Sequence, residues 1–341
     1  SVELAVKEIN ESGGIDGVPV KLMGLDWKVG GAFDAVETIE WANRFAQTND
    51  LVAVIGHSDS ASTLSAAAIY NQKKVPQIVT IATNPAITNI GSWTYRLCLS
   101  DATQGVALAR YAAEDWGKKS VSIFYVNDAY GRGLAEVFAA ELRRLGVSIV
   151  SSRMHRNVLQ ADDKEMIQAS LANQKKLGET PDLFVLFQRT QAANWTIHAI
   201  REAGFHSDIL GGDNLASPAL ITGDPSADGE VRISNFYLPS PDDPFAMKYV
   251  KSFRESAGSD PDYGQAFAYD AVYLVRDAIL KFGAGREAIK KYLDYLISEN
   301  AVVRGVGGTY RFGSDHDARR TMFIVATENG HDHGLKTLSN E

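Results

Sequence analysis

Four turns in this chain carry residue types able to hold a small polar molecule. The first follows an apolar run over 51–55: after Gly56 come Ser58, Ser60, Ser62 and Thr63, and then an Ala-rich helical pattern as far as Tyr70. The second, Ala82-Thr83-Asn84-Pro85, follows the apolar stretch 75–81. The third, Asp128-Ala129-Tyr130-Gly131, follows 121–126, and the fourth, Gly211-Gly212-Asp213-Asn214, follows Ile209 and Leu210. The first N–H groups of a helix have no partner within it, and the macrodipole makes that end partly positive. A serine placed there either caps the helix or shares those donors with a bound anion such as a carboxylate. For one turn alone both readings stand; repetition of the device at other strand ends favours a ligand.

Elements of one kind must carry these turns. A short unbroken apolar run, a polar turn and a helix make one β-α unit of a parallel sheet. The spacing predicts helices over 1–10 and 35–47 and strands over 18–27, 51–55 and 75–81, with a short extended crossing segment over 93–99. The alternation then restarts, with helices over 103–116, 132–145, 162–176 and 191–203 and strands over 121–126, 147–151, 183–187, 209–210 and 231–238. The last third is mostly helical, over 243–256, 263–282 and 286–298, and closes on strands at 309–312 and 321–327. Residues 223–229 (GDPSADG) read as a surface loop. This is an α/β pattern of two doubly wound lobes, with crossovers expected near 97–103, 231–238 and 310–320. Because a parallel α/β domain rarely starts on its helix, a strand is expected to precede residue 1.

Composition narrows the function. A chain of 341 residues, 45% apolar, is long enough for two full cores. The net charge of -8 and the lack of a basic cluster argue against a nucleic-acid or anionic-membrane partner. No apolar run approaches the roughly 20 residues that span a bilayer. The single cysteine, Cys98, excludes an intramolecular disulfide and is expected to pack as a small hydrophobe.

Several pieces together resemble one family: ELAVKEINESGGIDG, VIGHSDSASTLSAAAIY, VPQIVTIATNPAIT, VNDAYGRGLA, ILGGDNLASPAL and AFAYDAVYLVRDAI, spread from residue 3 to about 280. On these pieces the chain resembles the type I periplasmic solute-binding proteins of the leucine/isoleucine/valine-binding branch, which deliver ligands to ABC importers. The resemblance implies two doubly wound parallel-sheet lobes joined by a three-strand hinge and closing on a ligand, with the family's opening strand missing from this sequence. The lobes are expected at 1–101 with 236–312, and at 102–235 with 313–341.

The resemblance also implies site residues. Ser60 and Thr83, with the backbone of Ile81, match the positions that hold a ligand carboxylate. Tyr130 and Asp213 match the tyrosine and the acid that the second lobe supplies, the acid being suited to an ammonium. Amino-acid binders of this branch often carry an aromatic where this chain reads Gln188-Arg189-Thr190-Gln191. Arg189 there either meets a second anionic group or is solvated, and the departure bears on branched-chain specificity. The expected ligand is a small amino acid-like molecule, and the expected partners are permease subunits at the periplasmic or outer face of a bacterium. No cofactor, no metal, no nucleic acid and no direct membrane insertion are expected. The alternative keeps the fold as a sensor for a small amide, aromatic acid or other carboxylate.

Other motifs carry less. Tyr130-Gly131-Arg132-Gly133 lacks a dinucleotide fingerprint, and no nucleophile elbow or Cys–His pair supports an enzyme. Asp315-His316-Asp317 and His331-Asp332-His333 read as solvated turns rather than metal ligands. The sequon Asn194-Trp195-Thr196 falls inside a predicted helix and reads as accidental.

Overall fold

An apolar run without alternation needs cover on both faces, which only the interior of a parallel sheet provides. Leu183–Phe187 is such a run: all five residues are buried, and it pairs in parallel with a strand on either side. Burying each such side chain contributes about 1.5–3 kcal/mol, so this strand anchors its unit.

The computed structural model describes residues 1–24, 35–217, 220, 230–328 and 331–338. The chain divides into two units, one made of Ser1–Leu99 and Tyr237–Arg320, the other of Ser100–Phe236 and Thr321–Asn340.

The first unit begins with α1 (Val2–Glu11) and α2 (Ala35–Gln47). Next come β1 (Val54–Ile55), α3 (Ser60–Gln72), β2 (Gln77–Val79) and β3 (Thr94–Arg96). These three strands form a parallel sheet in the order β1-β2-β3.

The second unit opens with α4 (Asp101–Arg110), which loosens into a π-helical turn over Tyr111–Asp115. It continues through β4 (Ser120–Val126), α5 (Ala129–Arg144), β5 (Ser148–His155) and α6 (Ala161–Leu177). β6 (Leu183–Phe187), α7 (Thr190–Glu202), β7 (Asp208–Gly211) and β8 (Val231–Asn235) follow.

The chain returns to the first unit with α8 (Pro244–Ala257), α9 (Tyr263–Phe282) and α10 (Arg286–Ser298). A small antiparallel sheet of β9 (Val303–Gly305), β10 (Gly308–Phe312) and β11 (Ala318–Arg319) completes that unit. β12 (Met322–Glu328) and β13 (His331–Leu338) then join the second unit.

The second unit's sheet runs β13-β12-β8-β7-β6-β4-β5, with β12 and β13 antiparallel to their neighbours. Numbered within the unit, its parallel part has the order 2-1-3-4-5, so the winding reverses between β4 and β6. In open α/β sheets ligands bind beyond the carboxyl ends of strands at such a switch point.

The structure departs from the sequence reading in several places. The predicted strand over 18–27 does not form across its described part: Val18 only bridges Ile15, and the Asn10 side chain satisfies both backbone groups of Val20 at 2.9 and 2.7 Å. Residues 25–27 of that prediction, and the loop at 223–229, lie outside the described residues. The strand at 51–55 shrinks to two residues. His331-Asp332-His333 belongs to the edge strand β13 rather than to a turn.

The expected division also differs. The crossings fall at 99–100, 236–237 and 320–321, and residues 313–320 belong to the first unit, not the second. The reason is local: Arg96 holds Asp317 through two hydrogen bonds of 2.8 and 2.7 Å, and β11 pairs with β10.

Candidate functional site

In the first unit, Ser60 opens α3 but does not cap it. Asp59 is the cap: its carboxylate accepts from the Ser62 N–H at 2.9 Å and the Ser62 hydroxyl at 2.7 Å, and its carbonyl accepts from Thr63. Ser60 is therefore released from capping, and its buried hydroxyl accepts from the Asn84 N–H at 3.4 Å. Thr83 is buried at 1% exposure in the same turn. Ile81 packs against the start of α9, where a Cβ on Gly264 would meet its side chain at 2.8 Å. The structure thus brings Ser60, Ile81 and Thr83 to the carboxyl end of the small parallel sheet and the first turn of α3.

A residue the sequence reading missed holds that turn. Arg96 on β3 is fully buried; its Nη1 donates to the Asn84 carbonyl at 2.7 Å while Nε and Nη2 grip Asp317. The preceding turn is fixed similarly, by the Gln77 amide donating to the Gly56 carbonyl at 3.0 Å. His57 stacks on Tyr70 with its Nε2 3.1 Å from the phenol, and burial lowers its pKa to about 4, so it is uncharged at neutral pH. With Arg96 neutralised by Asp317, this end offers hydroxyls and helix-start N–H groups, the donor set that suits a carboxylate.

In the second unit, Asp128 caps α5 by accepting from the Gly131 N–H at 2.9 Å. A Cβ at Gly131 would lie 2.1 Å from the Val126 carbonyl, so only glycine lets the helix start this close to β4. Tyr130 points inward and donates to Asp213 Oδ1 at 3.1 Å. Gly212 permits that contact, because a Cβ there would stand 2.6 Å from the Tyr130 hydroxyl. Burial, and then the charges of Asp213 and Asp101, push the phenol well above its ordinary pKa, so it remains a donor.

Four further residues lie at this end: Gln104, Asp101, Ser234 and Arg189. Gln104 on α4 donates to Asp213 Oδ1 and to Asp101 Oδ1, each at 2.9 Å. Its own carbonyl oxygen accepts from the Asp213 N–H at 3.1 Å and the Ser234 hydroxyl at 2.6 Å. Asp101, Gln104, Asp213 and Ser234 are all buried. Arg189 sits at the carboxyl end of β6, its Nη2 3.2 Å from Asp128 Oδ2 and its guanidinium 5.8 Å from the Tyr130 ring centre. Its Nε is buried with no hydrogen-bond partner. Tyr130 and Asp213 are therefore in contact, and Arg189 lies beside them, partly exposed and ion-paired with Asp128.

The side chains of Asp315, His316 and Asp317 are engaged within the first unit. Asp315 pairs with Arg319 at 2.7 Å, Asp317 with Arg96, and His316 stacks on Tyr95. Among the described residues no group of three His, Cys, Asp or Glu is placed to hold a metal ion, and no helix is long and apolar enough to cross a membrane.

Comparison with known proteins places this architecture. The sequence profile of the family described as "Periplasmic binding protein" matches residues 1–332. An "Amino acid binding protein" of Pseudomonas aeruginosa is 35% identical, over 94% of this chain and 82% of that one. The crystal structure of a leucine binding protein from Thermotoga maritima superposes with a TM-score of 0.84 at 24% identity, covering 99% of this chain and 93% of that chain. A solute binding protein of an ABC transporter from Rhodopseudomonas palustris, in complex with 3,4-dihydroxybenzoic acid, gives a TM-score of 0.81 at 18% identity, covering 99% and 92%. These descriptions are of binding proteins, not enzymes.

Proposed function

Because the chain belongs to the type I periplasmic binding proteins, in the leucine/isoleucine/valine-binding family, we propose that it is an extracytoplasmic receptor that captures an α-amino acid for an ABC importer. The fold does not choose the ligand, since it seats 3,4-dihydroxybenzoic acid in the Rhodopseudomonas protein. The choice rests on one observation: the buried carboxylate of Asp213, oriented by Tyr130 and Gln104. An ammonium forms a charge-assisted hydrogen bond with a carboxylate so oriented, and the resemblance matches Asp213 to the acid suited to that role. In the first unit, Ser60, Thr83 and the start of α3 are donors of the kind that a carboxylate needs. The Pseudomonas relative, an amino acid binding protein by name, supports the reading.

Calorimetric titration with a panel of the standard L-amino acids tests it, beside benzoate and the deaminated analogue of the best-bound member. An amino acid is expected to bind far more tightly than its analogue. Asp213→Asn keeps the shape and removes the charge, so it is expected to cost that amino acid about 2–5 kcal/mol and largely spare the analogue. Tight binding of benzoate by the parent, undiminished in Asp213→Asn, would favour the second reading, a receptor or sensor for a simple carboxylate. Loss of uptake of the same amino acid in cells lacking the protein tests the importer role.

A further inference from the structure

We infer that the first unit holds a small anion of the halide class on the guanidinium of Arg320 and the hydroxyl of Tyr310. Arg320 stands where that unit ends and the chain crosses to β12. It is only 5% exposed, and Nε, Nη1 and Nη2 are all buried without a hydrogen-bond partner among the described residues. A guanidinium carries five N–H donors, so all five are unspent here. Unmet donors on a buried cation are costly, and native proteins answer such a group with water or an ion. Arg96, buried in the same unit, shows the contrast: its three nitrogens are spent on Asp317 and the Asn84 carbonyl.

The surroundings favour a ligand that only accepts. The ring centre of Phe267 on α9 lies 3.6 Å from the guanidinium carbon, and that of Tyr310 on β10 lies 5.0 Å away. The Tyr310 hydroxyl is likewise buried without a partner. Burial, and then the charge of Asp270, push its pKa well above the ordinary value, so it stays protonated and can donate. Asp270 attracts Arg320 but does not hydrogen-bond to it. Its Oδ1 accepts from the Val306 N–H at 2.7 Å and its Oδ2 from the Gly307 N–H at 3.0 Å. The turn between β9 and β10 encloses that carboxylate so closely that a Cβ on Gly305 would collide with it. The unmet groups are thus donors on a cation and on a neighbouring phenol. A halide satisfies such a set, and a water, which brings two donors of its own, satisfies it less well. Bound there, the ion ties β10 to the residue from which the chain crosses to β12. Asp270 is the charge that opposes it, and burial raises that carboxyl to about 6, so the halide binds more tightly as pH falls through that value. Arg320 is the charged group that acts on Asp270, and Tyr310 and Cys98 are the other ionisable groups that act on Arg320.

Two measurements test the site. In crystals grown with sodium bromide, an anomalous peak is expected beside the Arg320 guanidinium and within hydrogen-bonding reach of the Tyr310 hydroxyl. In solution, replacing gluconate by chloride at constant ionic strength is expected to raise the parent's denaturant midpoint, because an ion that binds only the folded chain stabilises it. Arg320→Met removes the donors and keeps an apolar stem against Phe267, so the chloride-dependent rise is expected to vanish. Tyr310→Phe removes one hydroxyl and is expected to weaken chloride about 10-fold or more, the scale of one hydrogen bond to a charged group. If Arg320→Met does not fold, Tyr310→Phe and the bromide crystal carry the test. Water in the place of bromide, or a chloride response that the folded variants keep in full, would overturn the inference. A bromide peak with no chloride response in solution would mean an adventitious ion only and would overturn it as well. So would a chloride affinity that stays flat or falls as pH drops through about 6. None of these outcomes touches the amino-acid reading.

Discussion

The two candidate ligand ends are built on opposite plans. In the first unit the groups proposed to meet a ligand are neutral, Ser60, Thr83 and the first N–H groups of α3, and the turn beside them is braced by a buried ion pair, Arg96 with Asp317. In the second unit the group proposed to meet a ligand is the Asp213 carboxyl, and the brace is a neutral amide, Gln104. Each plan follows from what its end must not do. In the first unit Arg96 is neutralised by Asp317 and its third nitrogen is spent on the Asn84 carbonyl, so its charge serves the framework. An acid meant for an ammonium must be held by groups that leave its charge intact. Strength of framework and strength of ligand contact are thus assigned to different groups at each end.

The ion-pair brace gives the largest expected effect. Removing one partner of a buried pair leaves the other uncompensated and typically costs about 3–5 kcal/mol. Asp317→Asn is therefore expected to lower the unfolding free energy of the first unit by that amount, read from its denaturant transition by fluorescence of a tryptophan in that unit such as Trp93. A loss below about 1 kcal/mol would show that the Asn84 turn is held by something other than Arg96, and the contrast between the two braces would fail.

The first unit should also carry a pH signature. The folded pKa of His57 lies near 4, below its ordinary 6.5, so in between the native state binds fewer protons than the unfolded chain. Stability is then complete above about 6.5 and declines as pH falls toward 4, by up to about 3 kcal/mol for a shift of this size. A His57→Gln variant should flatten that part of the stability profile. A profile unchanged by the substitution would mean that His57 charges freely in the folded protein.

Ser60→Ala tests the neutral end directly. Its hydroxyl is one donor or acceptor among several, so the expected loss of affinity is about 0.5–1.5 kcal/mol, the ordinary size of one hydrogen bond. The sharper expectation concerns selectivity: an amino acid and its deaminated analogue share the carboxylate and should lose equally. Loss confined to the amino acid would reverse the assignment of the two ends.

The fold and the site were not equally legible in the sequence. Leu183–Phe187 and the helix Tyr263–Phe282 were readable because burial on both faces and a 3.6-residue period leave marks in adjacent residues. Strand β13 was not, because an edge strand such as HDHGLKTL needs no apolar alternation and takes its register from β12. At the site, Tyr130 and Asp213 were legible through the family resemblance, and of the glycines beside them Gly212 is the one their contact requires. Gln104 and Asp101 did not, since a glutamine or an acid early in a helix reads as solvated surface or cap, and the partner of Gln104 lies 109 residues away. Arg96 and Asp317, 221 residues apart, left no local trace for the same reason.

Arg189 gives the smallest expected effect and bears on the side chain of the ligand. It stands at the switch point beyond β6, where the resemblance to amino-acid binders led us to expect an aromatic, and it is paired with Asp128 while lying over Tyr130. Both partners of that pair are partly exposed, and exposed pairs contribute about 0–1 kcal/mol. If its work is to brace the Asp128 turn, Arg189→Gln should change affinity for neutral amino acids by less than about 1 kcal/mol and leave the order of preference within the panel unchanged. If it also meets a second acid on the ligand, glutamate and aspartate should bind the parent measurably and lose about 1.5–3 kcal/mol in the variant, as for a hydrogen bond to a charged group. Titrating both proteins with leucine, glutamate and aspartate separates these cases. A parent that ignores both acidic amino acids, with leucine unaffected by the substitution, would leave Arg189 as a brace alone, and the selectivity of the charged end would then reside wholly in Asp213 and the groups that hold it.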